Sequence, residues 1–134
     1  MQITLGQIQQ ATGAQFEGDA SAVVHGWSID SRTITPGDLF FALNAGHQHV
    51  EAALQKGAIA AIVSEPVSAK GNLLHVPDTL LALQQLAHYA RQTWSKPIIA
   101  ITGSAGKTST KDIIAALLSV RMKVGKTTGN FNNH

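Results

Sequence analysis

The stretch Ile98-Ile-Ala-Ile-Thr-Gly-Ser-Ala-Gly-Lys-Thr-Ser-Thr110 decides how this chain is read. Apolar residues lead into a loop with glycines at 103 and 106, and Lys107 and Thr108 open a helical pattern. A strand aims such a loop, glycines let backbone N–H groups approach phosphate oxygens, and the helix presents its positive end to the anion. The general rule G-x-x-x-x-G-K-[ST] is met at Gly106, Lys107 and Thr108, but its first glycine position holds Ile101. The shorter form from Thr102 to Thr108 remains, with Gly103 and Gly106 able to take backbone conformations that side chains disfavour. Thr102, Gly103, Ser104, Ala105, Gly106, Lys107, Thr108 and Ser109 are therefore the expected nucleotide-binding residues. Lys107 would reach the β- and γ-phosphates, and the Thr108 hydroxyl would join the shell of a Mg²⁺ ion. The plainer alternative is a glycine turn with a chance Lys-Thr after it; the order strand, loop, helix argues against that. The loop alone names no reaction, because kinases, NTPases and ligases share it.

Bulk properties narrow the class. The chain has 134 residues, enough for one domain or a small domain plus part of another. At 44% apolar and 13% charged it is expected to fold rather than stay disordered. Ten basic residues against eight acidic ones leave too little positive charge to suggest nucleic acid. Arg121, Lys123 and Lys126 near the loop fit either a solvated face or an anion-facing role. No apolar run is long enough for a bilayer, the N-terminus lacks a signal-peptide pattern, and there is no cysteine. A cytoplasmic location without membrane partners is the expectation. His47 and His49 are two apart with no third ligand nearby, which is weak evidence for zinc.

Upstream of the loop, strand and helix patterns alternate. Thr4 is expected to cap a short helix with Leu5, Ile8 and Ala11 on one face and Gly13 as its stop. Residues 23–29 read as a strand interrupted at Gly26. Thr35-Pro-Gly-Asp38 signals a turn, and Leu39-Phe-Phe-Ala-Leu43 a buried strand. A helix over 50–56 ends at Gly57, and strands follow over 58–63 and 73–76. Asp78 caps a helix over 79–93 with Leu80, Leu83, Leu86, Ala87 and Ala90 at helical spacing. Lys96-Pro97 breaks the chain. The next helix runs from about Lys107 to about Val120 and is expected to bury Ile113, Ile114, Leu117 and Leu118. A further strand is expected around 123–126. The pattern is α/β throughout, with parallel or mixed sheets.

Three ordered motifs are similar to the Mur ligase family. Thr102-Gly-Ser-Ala-Gly-Lys-Thr-Ser-Thr-Lys-Asp112 resembles the ATP loop of these enzymes, which also lack the first glycine. Ser28-Ile-Asp-Ser-Arg-Thr33, followed by Pro36-Gly-Asp-Leu-Phe-Phe-Ala-Leu43 and Gly46-His47, resembles the signature of their N-terminal domain. Thr127-Thr-Gly-Asn-Phe-Asn-Asn-His134 resembles the segment after the first central helix. Lys111-Asp112 and the Asn-Phe-Asn-Asn run resemble the members that add D-alanyl-D-alanine.

The resemblance implies a small N-terminal α/β UDP-sugar-binding domain over 1–80 and a linker helix over 81–96. An incomplete Mur-type ATPase domain follows over 97–134, consisting of its opening strand, phosphate loop and helix. It implies ATP and Mg²⁺ as cofactors, with UDP-N-acetylmuramoyl-peptide and D-alanyl-D-alanine as partners. The reaction it implies is amide-bond ligation through an acyl phosphate. Ser28, Ser31, Arg32 and His47 would lie at the UDP end, and Asn130 and Asn132 would line the substrate channel. Asp30 could orient Arg32, or the two could simply close a turn. About two dozen residues after the loop cannot complete a nucleotide-binding sheet, so this portion alone is expected not to ligate. The exposed edge of 98–101 and the apolar face of 113–118 would need cover. A sibling ligase adding the third peptide residue and a non-catalytic UDP-sugar-binding module are the alternatives.

Overall fold

The structure is a computed structural model and describes residues 2–127. Packing divides the chain into two units, Met1–Ser95 and Lys96–His134.

The first unit begins with β1 (Ile3–Thr4), which pairs antiparallel with β2 (Val23–Val24). Helix α1 (Leu5–Thr12) starts at Thr4, whose hydroxyl accepts from the Gln7 N–H while the Gln7 side chain accepts from the Thr4 N–H. This reciprocal pair satisfies donors the helix itself leaves open. Gly13 closes the helix in the left-handed region, at φ 67°. Thr4→Ala is expected to lower the stability of this unit by about 1 kcal/mol, read as a lower urea midpoint at unchanged slope.

Four strands form a parallel sheet in the order β3 (Gly26–Ser28), β4 (Asp38–Phe41), β5 (Ala60–Val63), β6 (Leu73–His75). The central strands β4 and β5 are buried along their whole length, as parallel strands covered on both faces require. Alternation sorts their side chains. Leu39, Phe41, Ala60 and Ile62 join Leu5 and Ile8 of α1 and Leu86 of α3 (Thr79–Thr93). Phe40, Ala42, Ala61 and Val63 join Val50 and Ala53 of α2 (Val50–Gln55) on the opposite face. The result is three layers, with α1 and α3 on one side of the sheet and α2 on the other. Residues 81–93 of the expected linker helix lie in α3, which packs on α1 within this first unit.

The segment 23–29 is two strands rather than one. At His25 the N–H bonds the Gly37 carbonyl, so β2 stays with β1 while β3 enters the parallel sheet. The turn before β4 is tied by Asp38, a buried carboxylate accepting from both the N–H and the hydroxyl of Thr35 at 2.8 Å. Gly37 sits there at φ 89°, and a Cβ on it would lie 2.9 Å from Nδ1 of His25. Helix α3 spans the expected residues, but its buried line is Thr79, Ala82 and Leu86, and Leu80 is 53% exposed. Spacing fixes the helical period and not its phase: Leu80 and Ala87 lie about 100° around from that line.

In the second unit α4 (Lys107–Ser119) follows the loop. Two strand expectations fail here: neither 98–101 nor 123–126 joins a ladder. Ala115 is the buried residue of α4, whereas Ile113 and Leu117 are 60% and 69% exposed. A ladder needs a neighbouring strand and an apolar helix face needs a sheet to lie on; among the described residues this unit offers neither.

Candidate functional site

In the loop, Gly103 and Gly106 take φ values of 146° and 75°. Both lie where a side chain is strained, and a Cβ on Gly106 would meet nothing within 4 Å. Glycine is needed there for the shape of the backbone, not for lack of room. Gly106 is the N-cap of α4 and brings no side chain to the first turn, in contrast to Thr4 and Asp78 at the starts of α1 and α3. The positive end of α4 thus lacks the oxygen acceptor that closes the other two, which suits an incoming anion. Lys107 folds back so that its Nζ donates to the Gly103 carbonyl at 2.5 Å. That bond lays the ammonium across the loop it would serve. Thr102, Ser104, Ala105, Thr108 and Ser109 are exposed around it. The glycine conformations, the open helix end and the lysine together fit a polyphosphate.

The candidate substrate residues form two groups in the first unit. The first is the turn after β3. The Ser28 hydroxyl donates to the Asp30 carbonyl, accepts from the Asp30 N–H, and lies 2.8 Å from the Thr33 hydroxyl. The Asp30 carboxylate accepts from Nε and Nη2 of Arg32 and from its backbone N–H. The Arg32 side chain is 84% exposed, so its remaining guanidinium edge faces solvent and can take an anion. The Ser31 carbonyl accepts from Nζ of Lys56, which ties the turn to the end of α2.

The hydrogen bonds from Arg32 hold the Asp30 carboxyl down at about 2. A lowered value means the charged form is favoured in the folded state. The contribution is complete above the ordinary carboxylate range and fades as pH falls from about 4 towards 2. Arg32→Gln is expected to return the Asp30 midpoint towards 3.8, its ordinary value, in an NMR titration.

The second group centres on His47, in the 3₁₀ turn Asn44–His49 after β4. The Ser64 N–H, just past β5, donates to Nε2 at 3.0 Å, and Nδ1 lies 3.2 Å from the Asn44 carbonyl. Nε2 must accept from that N–H, so Nδ1 carries the proton and donates to Asn44. Both ring nitrogens are therefore engaged within the protein, and His47 pins the ends of β4 and β5 together. A direct bond from its ring to a nucleotide would require breaking one of these. Asn44 itself takes a positive φ of 50°.

Ser28 ends β3, and Asn44, His47 and Ser64 follow the C-terminal ends of β4 and β5, the end where open α/β sheets bind ligands. Thr33, Lys56, Asn44 and Ser64 were not singled out from sequence. Asn44 carried a faint signal as a residue tolerant of positive φ; Lys56, far along the chain from Ser31, carried none. Asn130 and Asn132 lie outside the described residues. Among the described residues no cluster of three metal-ligating side chains occurs, and no helix is long and apolar enough to cross a membrane.

A parallel α/β unit, followed in sequence by a glycine-rich loop of phosphate-loop pattern that opens a helix, narrows the class of protein. Comparison sharpens this. A family profile described as "Mur ligase family, catalytic domain" matches residues 23–91, and one described as "Mur ligase middle domain" matches 101–134. The chain belongs to the Mur ligase family.

Among its relatives, a UDP-N-acetylmuramoyl-tripeptide–D-alanyl-D-alanine ligase of Synechocystis is 45% identical over 111 residues, covering 78% of this chain and 24% of the relative. A crystal structure of MurF from Acinetobacter baumannii superposes with a TM-score of 0.84 at 37% identity, covering 99% of this chain and 31% of that one. The MurF ligase of Thermotoga maritima, solved in complex with ADP, gives 0.68 at 31% identity, covering 81% of this chain and 26% of that one. The chain thus spans between about a quarter and a third of the length of these relatives.

Proposed function

We propose that this chain is the N-terminal portion of an ATP-dependent ligase that joins D-alanyl-D-alanine to a UDP-N-acetylmuramoyl-tripeptide in the cytoplasm. The observation that carries this is the loop Thr102–Thr108, with two glycines at positive φ and Lys107 folded across it, following in sequence a parallel unit like that of the D-alanyl-D-alanine-adding relatives. A carboxylate is a poor acyl donor, and the bound nucleotide supplies the phosphoryl group that gives it a leaving group. The residues of this chain hold that nucleotide. Backbone N–H groups from Gly103 to Thr108 cradle the phosphates, and the Lys107 ammonium offsets charge on the transferred group. The Thr108 hydroxyl would join the shell of a Mg²⁺ ion bound with the nucleotide.

The first unit takes the UDP end. Its turn at Ser28–Thr33 presents the solvent-facing edge of Arg32 to the diphosphate, with Asp30 fixing the guanidinium plane. Ser31 lies within the same turn, while His47 shapes the neighbouring loop. Residues 1–95, with α3 packed inside that unit, then serve as the UDP-sugar-binding region, and 96 onward as the start of the ATP-binding domain.

The test is ADP release by the full-length polypeptide. Release that requires both UDP-muramoyl tripeptide and D-alanyl-D-alanine is expected. Release that instead follows a diamino acid with the dipeptide precursor would favour the sibling ligase. No release with either pair, but UDP-sugar binding intact, would leave only a binding module.

A further inference from the structure

Outside the loop, the most heavily bonded group of charges among the described residues of the second unit lies one turn further along α4. Nζ of Lys111 donates to the backbone carbonyl of Thr127 at 2.8 Å. Nζ of Lys126 donates to Oδ1 of Asp112 at 2.7 Å. Lys111 Nζ also stands 3.7 Å from that same carboxylate oxygen. Two adjacent helix residues thus grip two adjacent residues of the returning chain, one through a side chain and one through the backbone. We propose that Lys111 and Asp112 are positioning residues: a clasp that fixes where the returning chain lies against α4, one turn past the nucleotide loop, and so sets the turnover of the proposed ligase.

Ordinary surface ion pairs fix little. This group differs in three ways. The Lys111 side chain is only 20% exposed, against 46% for Asp112 and 48% for Lys126. Its acceptor is a backbone carbonyl, so the bond locates the main chain and not a mobile side-chain tip. And the Asp112 carboxyl is held below its ordinary range, first by the Lys126 hydrogen bond and further by the nearby Lys111 charge. Lys111 is four residues, about 6 Å of helix, beyond Lys107. No strand pairing holds residues 123–127, so among the described contacts the clasp is what locates their end. A shift of about 1 Å in a group near reacting atoms can cost on the order of 100-fold in rate.

The inference rests on the ligase function proposed above, and its test separates the two. In the full-length polypeptide, Asp112→Lys and Lys126→Asp are each expected to lower kcat by about 10- to 100-fold while KM for ATP stays within about twofold. The double variant restores opposite charges and is expected to recover most of the loss. Amide exchange over 123–127 should rise in each single variant and fall again in the double. Unchanged kcat in the single variants, or a double variant no better than either, overturns the proposal even if exchange responds. If the unmodified polypeptide shows no ligation, the ligase function fails by itself. Exchange then decides the clasp: it stands if protection follows the charge pairing and falls if protection is indifferent to it.

Discussion

Lys107→Ala in the full-length polypeptide is expected to reduce ATP-dependent ligation by on the order of 1,000-fold or more, with no change in UDP-sugar binding. The size follows from what a loop of this kind supplies. Phosphoryl transfer gives the protein little covalent work to do, so rate enhancement depends on positioning and on charge placed before the reaction begins. Among the described residues, Lys107 is the loop's own cation, and its side chain already lies across the loop on the Gly103 carbonyl. The substitution leaves the backbone conformation to Gly103 and Gly106 and the helix start to Gly106, so it removes charge without unmaking the cradle. ADP release and nucleotide binding measured side by side check this. A variant with near-normal turnover would remove Lys107 from the chemistry and with it the main support for nucleotide use in this loop. Lys107→Arg is expected to recover little, because a planar fork cannot fold onto the same carbonyl as a compact ammonium does.

The loop was legible in sequence because its information is local. Glycines at two spacings, a lysine and a threonine can be counted along the chain, and the structure places the expected glycines at positive φ and begins α4 at Lys107. The same holds for α1, whose cap and stop lie within ten residues, and for the turn that Thr35 and Asp38 close. What sequence could not show is non-local. The bond from Lys56 to the Ser31 carbonyl joins residues twenty-five apart, and the bond from the Ser64 N–H to His47 joins residues seventeen apart. Neither pair has a spacing that signals contact.

His47 is the instructive case. From sequence it was a candidate to touch the nucleotide, and its strand-end position suits that, yet both its ring nitrogens are occupied by the protein itself. Burial was expected of Ile113, Ile114, Leu117 and Leu118, but Ile114 and Leu118 are only half-buried and Ile113 and Leu117 are exposed, which shows a different limit. Periodicity correctly marked a helix with an apolar face, but burial depends on a partner surface, and periodicity carries no information about whether one is in place.

The first unit should respond sharply to loss of one side chain at its centre. Phe41→Ala is expected to destabilise it by about 3–5 kcal/mol. Phe41 is fully buried on β4, a strand bonded on both sides, and it packs in the layer between the sheet and helices α1 and α3. Parallel neighbours pinned by ladder bonds cannot close around a lost ring, so most of the cavity should persist. A unit of this size has a total stability on the order of 5–15 kcal/mol, so the variant would keep only part of its cooperative transition. With a urea slope of about 1–3 kcal/mol per molar, the midpoint should fall by more than about 1 M. Phe41→Leu keeps most of the volume and is expected to cost less than about 1.5 kcal/mol. Trp27 gives the contrast: it is larger than Phe41 but 48% exposed on the edge strand β3, so Trp27→Ala should move the midpoint much less. Were the Trp27 variant to lose more stability than the Phe41 variant, the centre of this unit would have to lie at β3 and not in the two strands buried on both faces. The three-layer packing would then be wrong where it most constrains the placement of Ser28 and His47.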